Sequence, residues 1–190
     1  MQEKDGFIAR ERWLEESWFR KEEERKLEER HARIAREADR ERIGQATGIA
    51  DPEALLAIQE MGFTAETVAL LPLIPPIEIA WMQGGLASRE ADYLTRSARE
   101  QGIEAGSQAD QALARLLSAR PAESFCSACR QALRAQLLAA AAPDRDHLRE
   151  QILTHCQEVA RLATGGLLGR QQASDEILVR IDQFRRELES

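Results

Sequence analysis

The stretch LPLIPPIEIAWMQGGLASREADYL, residues 71–94, decides the fold. Pro72, Pro75 and Pro76 fall inside an apolar run, and proline both removes a backbone donor and clashes with the preceding turn. The run therefore predicts a break or kink followed by a buried helix. From Ile77 to Gln83 that helix is apolar almost all round, the pattern of a buried element. Glu78 is the exception, and a carboxylate there needs a partner, expected as a hydrogen bond from a neighbouring helix. Gly84-Gly85 terminates the helix. Ser88 reads as the cap of a further helix to about Gln101, stopped by Gly102.

Working toward the N-terminus, Asp51 is a good cap and Pro52 suits the first helical position, with Leu55, Leu56 and Ile58 behind them. Gly62 ends that short helix, and Thr64 reads as the cap of the next. Toward the C-terminus, Ser107 opens a helix carrying Leu113, Leu116 and Leu117, ended near Pro121. An Ala- and Leu-rich helix follows over residues 125–142. Pro143 and Asp144 restart the chain, and Leu148, Ile152, Leu153, Val159 and Leu162 carry the next apolar stripe to Gly165-Gly166. Ser174 reads as the cap of a last amphipathic helix through Ile177, Leu178, Ile181 and Phe184. No segment alternates with period two. The expectation is all-α, with about seven helices over residues 51–190.

Two parts of this body share a pattern: helix, Gly-Gly, apolar residue, Ser-capped helix with an acid in its first turn. They are IAWMQGGLASREADYL and RLATGGLLGRQQASDEILVRI, and a pseudo-symmetric bundle would follow from them. Carried by these segments, the chain from about Asp51 to residue 190 resembles the TerB-like domain of tellurite-resistance proteins, a seven-helix bundle with internal pseudo-symmetry. Ala80, Trp81, Gly84, Leu86 and Glu90 fit the family pattern at the first helix end. Gln83 stands where the family has an Asp, the position the resemblance would make a metal ligand; Gln offers only a neutral carbonyl to a hard cation. The second loop supplies Asp175 and Glu176 but no acid before its glycines. The resemblance implies a bacterial tellurite or stress-response module binding a metal ion.

Residues 1–43 have another character, and residues 44–50 read as a linker. From Arg10 to Arg42 nearly every position is Glu, Arg, Lys or Ala, with no Gly or Pro before Gly44. The charges nearly cancel, and no apolar face is wide enough to join a globular core. Yet Trp13, Leu14, Trp18 and Phe19 cluster near the start. A helix so built is expected to dock its aromatics on something else: the body, a second copy, or a protein partner. The stretch Glu15-Glu16-Ser17-Trp18-Phe19-Arg20 resembles the inhibitory helix of the mitochondrial F1-ATPase inhibitor, with Leu27 and His31 as further counterparts. That resemblance makes Trp18 and Phe19 anchors in an F1-ATPase interface, with Glu15, Glu16 and Arg20 as the polar rim. Aromatics and Arg dominate protein interfaces when they enter a desolvated pocket.

Composition narrows the alternatives. Net charge is −7, so a nucleic-acid surface, which needs a basic stripe, is not expected. No apolar run approaches a membrane span and the N-terminus is not signal-like, which reads as a soluble, cytoplasmic protein. Three cysteines do not make a secreted disulfide framework. Cys126 and Cys129 form a C-x-x-C, and His155-Cys156 lies downstream; together they could ligate zinc, or the pair could act as a thiol redox switch. Buried structural thiols are the plainer reading, and no cofactor is expected. His31 and His147 are lone histidines on polar surfaces. Ser88, Ser107 and Ser174 read as caps rather than nucleophiles, and the Gly-Gly pairs as helix stops rather than phosphate cradles. The expected function is a non-catalytic regulator or adaptor.

Overall fold

A computed structural model describes the backbone of residues 2–164 and 170–189, and the side chains of residues 17–163 and 175–189. The described chain is all-helical, without strands. It comprises α1 (Gln2–Thr47), α2 (Pro52–Glu60), a 3-10 segment (Val68–Leu73), α3 (Ile74–Trp81), α4 (Ser88–Glu100), α5 (Gln108–Ser118), α6 (Glu123–Ala139), α7 (Ala142–Thr164) and α8 (Arg170–Glu189). Two compact units result, Met1–Asp39 and Arg40–Ser190.

The first unit is a stretch of α1 held by its own charges. Arg25 pairs with Glu22 at 2.5 Å and also with Glu29, and Lys26 reaches Glu22 at 3.6 Å. The hydrogen bond from Arg25, with the nearby cations, holds the Glu22 carboxyl below its usual range. Such i,i+3 and i,i+4 pairs support a solvated helix that has no core to bury.

In the second unit α1 runs on through Gly44 to Thr47, past the expected stop. Gly44 serves packing rather than termination, since a Cβ there would lie 3.0 Å from the Ile49 carbonyl oxygen and 3.3 Å from Leu55. The stop falls at Gly48, whose φ of 73° suits glycine and whose N–H donates to the Gly44 carbonyl at 2.8 Å. Just before it, Ile43 is wholly buried in the core. Residues 44–50 are thus part helix and part packed turn.

Asp51 caps α2 as expected, accepting from the N–H groups of Glu53 (3.2 Å) and Ala54 (3.3 Å). Ser107 likewise caps α5, accepting from Asp110 N–H at 3.1 Å. Three other expected caps move. Thr64 belongs to a turn in which Thr67 Oγ1 accepts from its N–H at 2.9 Å, and the 3-10 segment starts only at Val68. Ala87, not Ser88, is the N-cap of α4, its N–H donating to Glu90 Oε2 at 2.7 Å. Ser174 lies within α8, which begins at Arg170. Gly165-Gly166 and the side chain of Ser174, which carry the second half of the sequence repeat, lie outside the described residues.

The proline-rich run shapes the centre. Pro72 sits in the 3-10 segment, while Pro75 and Pro76 occupy the first turn of α3, where their missing N–H groups cost nothing. Helix α3 therefore starts earlier than its apolar pattern alone implies. It buries Ile74, Pro75, Pro76, Ile77, Ile79 and Ala80, and it packs against α4, α6, α7 and α8. A short helix surrounded on several sides has room for only one polar side chain, and that is Glu78.

Candidate functional site

Two places in the chain concentrate chemistry. The first is the aromatic pair on α1. Trp18 is 60% exposed and Phe19 59%, although neighbouring helix residues project about 100° apart. Their rings nonetheless lean together edge to face, with centroids 5.2 Å apart and planes at 78°. Arg20 beside them is exposed. Trp13, Leu14, Glu15 and Glu16 lie outside the described side chains. Further along, Leu27 and Ile34 are exposed too. Ile34 was not singled out in the sequence, although its spacing of seven from Leu27 puts both on one side of the helix.

The second is a charge cluster around Glu78 within the Arg40–Ser190 unit. Glu78 receives two guanidinium groups from helices distant in sequence. Arg130 of α6 donates from Nη1 to Oε2 at 2.6 Å, and Arg180 of α8 donates from Nε to Oε1 at 2.9 Å and again from Nη2. Arg130 also pairs with Glu123 at 3.0 Å and Glu187 at 3.1 Å, and Arg180 lies 3.5 Å from Glu123. Phe184 packs beneath both guanidiniums, their central carbons 5.7 and 4.8 Å from its ring centroid. The side chains of Glu78 and Arg130 are only 11% and 10% exposed. Burial pulls the Arg130 guanidinium down, but the Glu123 hydrogen bond and the charges of Glu78 and Glu187 outweigh it and raise its pKa. A cleft of about 250 Å³ opens beside the cluster, lined by Glu78, Trp81, Arg120, Pro121, Glu123 and Cys126.

Both carboxylate oxygens of Glu78 accept from arginine, so the group is engaged within the fold. The arrangement clamps α3, α6 and α8 together instead, which answers the expectation that Glu78 needs a partner. Glu78 has two.

The four candidate metal ligands do not converge. Among the described residues no group of three or more His, Cys, Asp or Glu side chains could hold a metal ion, and Cys126, Cys129, His155 and Cys156 are all described. His155 faces Tyr93 instead, its Nδ1 sharing a 2.8 Å hydrogen bond with the phenol, and Gln101 lies 3.4 Å from Nε2. Burial lowers the His155 pKa and raises that of Tyr93. Gln83, at the position where the TerB-like pattern has Asp, carries a buried amide nitrogen with no hydrogen-bond partner among the described residues.

The thiols are buried and free of disulfides. Burial pushes Cys126 up to about 11 and Cys129 to about 12, and raises Cys156 further still. Cys129 points its thiol at the Met61 sulfur, 3.9 Å away. No helix among the described residues is long and apolar enough to cross a membrane. Compared with known proteins, the chain matches no family model, no curated protein and no solved structure.

Proposed function

We propose that this protein is a cytoplasmic, non-catalytic regulator or adaptor that docks α1 onto a protein partner through Trp18 and Phe19. The observation that carries the reading is the exposure of this adjoining aromatic pair, about three fifths of each residue, on a helix whose surface is mostly charged. Two large aromatics held together in water present a pre-formed anchor for an apolar groove, and Arg20 supplies a rim contact. The charged remainder of α1 would set register along that groove.

The specific partner we propose is an F1-ATPase interface, on the resemblance of EESWFR to the mitochondrial inhibitor helix. The body is proposed as a seven-helix TerB-like bundle of bacterial stress-response type, on the 71–94 pattern. Its metal-binding role has no ligand group to support it among the described residues. A redox role for Cys126 and Cys129 draws no support from thiols whose pKa values burial raises.

The test is inhibition of ATP hydrolysis by purified F1-ATPase, comparing the full chain with its W18A/F19A variant. The expected result is inhibition by the parent and its loss in the variant. Equal inhibition by both proteins would overturn the anchor, and no inhibition by either would overturn the partner. Amine crosslinking separates the alternative of self-association. Lys4, Lys21 and Lys26 are the only lysines, so side-chain amine crosslinks report on α1 alone.

A further inference from the structure

A second cleft, of about 290 Å³, lies where the end of α6, the start of α7 and the end of α8 meet. Its lining comprises Arg134, Leu137 and Leu138 from α6, Arg145, Asp146 and Arg149 from α7, and Leu188 and Glu189 from α8. Three arginines in one cleft are unexpected on a chain of net charge −7. They are not equivalent. Arg149 is held in place, its Nε donating to the Leu188 carbonyl at 3.1 Å and its Nη1 to Asp146 at 3.1 Å. Arg134 and Arg145 make no ion pair or side-chain hydrogen bond with any described residue, although Arg145 is half-buried.

Five donors in a rigid fork make guanidinium a fitting receptor for planar or tetrahedral oxyanions. Arg149 uses two of its five donors on the α8 end and on Asp146, which sets the cleft wall. Asp146 is thereby paired with Arg149, and Glu189 is the one other acid in the lining. Two guanidiniums without a side-chain partner among the described residues therefore line the space. The apolar side of the cleft is equally unusual: Leu137 is buried at its floor, while Leu138 stands 68% exposed at its edge. An exposed leucine beside unpaired arginines offers contact to a ligand with an apolar body and a charged head. The volume lies at the lower end of small-molecule sites, which begin near about 300 Å³, so the occupant is small.

We propose that this cleft binds a small organic anion, a carboxylate or phosphate monoester carrying a short alkyl or aryl group. Arg134 and Arg145 take the oxyanion, and Leu137 and Leu138 take the apolar part. The site lies wholly within the Arg40–Ser190 unit and is independent of the aromatic pair on α1.

Titration calorimetry on the full chain tests it with four probes: hexanoate, hexyl phosphate, inorganic phosphate and uncharged hexanol. Saturable binding of hexanoate or hexyl phosphate is expected, with inorganic phosphate weaker and hexanol absent. The better of the two organic anions identifies the head group. Each lost charged hydrogen bond should cost about tenfold in affinity, so R134Q and R145Q should each weaken binding by at least that factor. L138E, at a position already 68% exposed, should weaken it too by placing a carboxylate at the mouth. Arg side-chain Nε–Hε resonances of Arg134 and Arg145 should move on titration while that of Arg149 moves least. Binding unchanged by R134Q and R145Q, equal binding of hexanol, or no saturable binding of either organic anion would each overturn the proposal.

Discussion

Replacing Glu78 by Gln tests whether the buried charge cluster holds the helices together. The substitution keeps size and one acceptor oxygen but removes the charge, and it turns an amide NH2 toward a guanidinium that also only donates. Neither arginine is left bare. Arg130 keeps Glu123 and Glu187, and Arg180 keeps Gln183 at 3.1 Å. The full penalty for stripping a buried charge of its partner, about 3–5 kcal/mol, therefore does not apply. What is lost is the charge assistance of the bonds at Glu78, so about 2 kcal/mol is expected. Glu123 supplies the internal control, since it joins the same arginines from a side chain 70% exposed. E123Q should cost under about 1 kcal/mol, as exposed pairs do. With a urea m-value of about 2 kcal/mol/M, E78Q should lower the unfolding midpoint by about 1 M at unchanged slope. Far-UV circular dichroism reads that directly in an all-helical chain. Equal midpoints for E78Q and E123Q would refute the reasoning, because the cluster would then behave as a solvated surface pair.

Three shorter tests concern the rest of the chain. His155 holds its proton less tightly than the usual 6.5 because of burial, so the unfolded chain binds more protons just below that value. Stability should fall as pH drops from about 6.5 through the lower folded pKa, and H155Q should remove that component of the urea-midpoint profile; an identical profile in H155Q would dismiss it. With Cys126 at about 11 and Cys129 at about 12, the thiolate is scarce at pH 8. A thiol reagent should thus label the native protein at least about a hundredfold more slowly than the urea-unfolded chain, and comparable rates would restore the redox reading. The W18A/F19A variant should unfold within about 0.5 kcal/mol of the parent, as exposed substitutions do; a larger loss in urea melts would mean the pair packs against something in the free protein.

What could be read in the sequence was local. Asp51-Pro52 and Ser107 signal their helices because a cap is satisfied within three residues, whatever the rest of the chain does. The same logic misplaced Thr64, Ser88 and Ser174, since a hydroxyl near a helix start can equally sit in the preceding turn or inside the helix. Gly44 misled for a different reason. Its small size serves the approach of the Ile49 carbonyl, and nothing in its neighbours announces that. The apolar run at 71–83 revealed a buried helix, yet its first turn was hidden by prolines that are tolerated at α3's start. Glu78 stood out as a carboxylate in need of a partner, but its arginines lie 52 and 102 residues away and no local pattern names them. The Arg134–Arg145 cleft was invisible for the same reason, because it exists only where the ends of three helices meet.

That separation along the chain also has a kinetic meaning. Contacts spanning 52 and 102 residues must wait until long loops have closed, so the Glu78 cluster should assemble after the folding barrier rather than before it. A lesion there would leave the refolding rate almost untouched and appear as faster unfolding. The clamp would then act as a latch on an already assembled bundle, setting how long the folded state lasts rather than how quickly it is found.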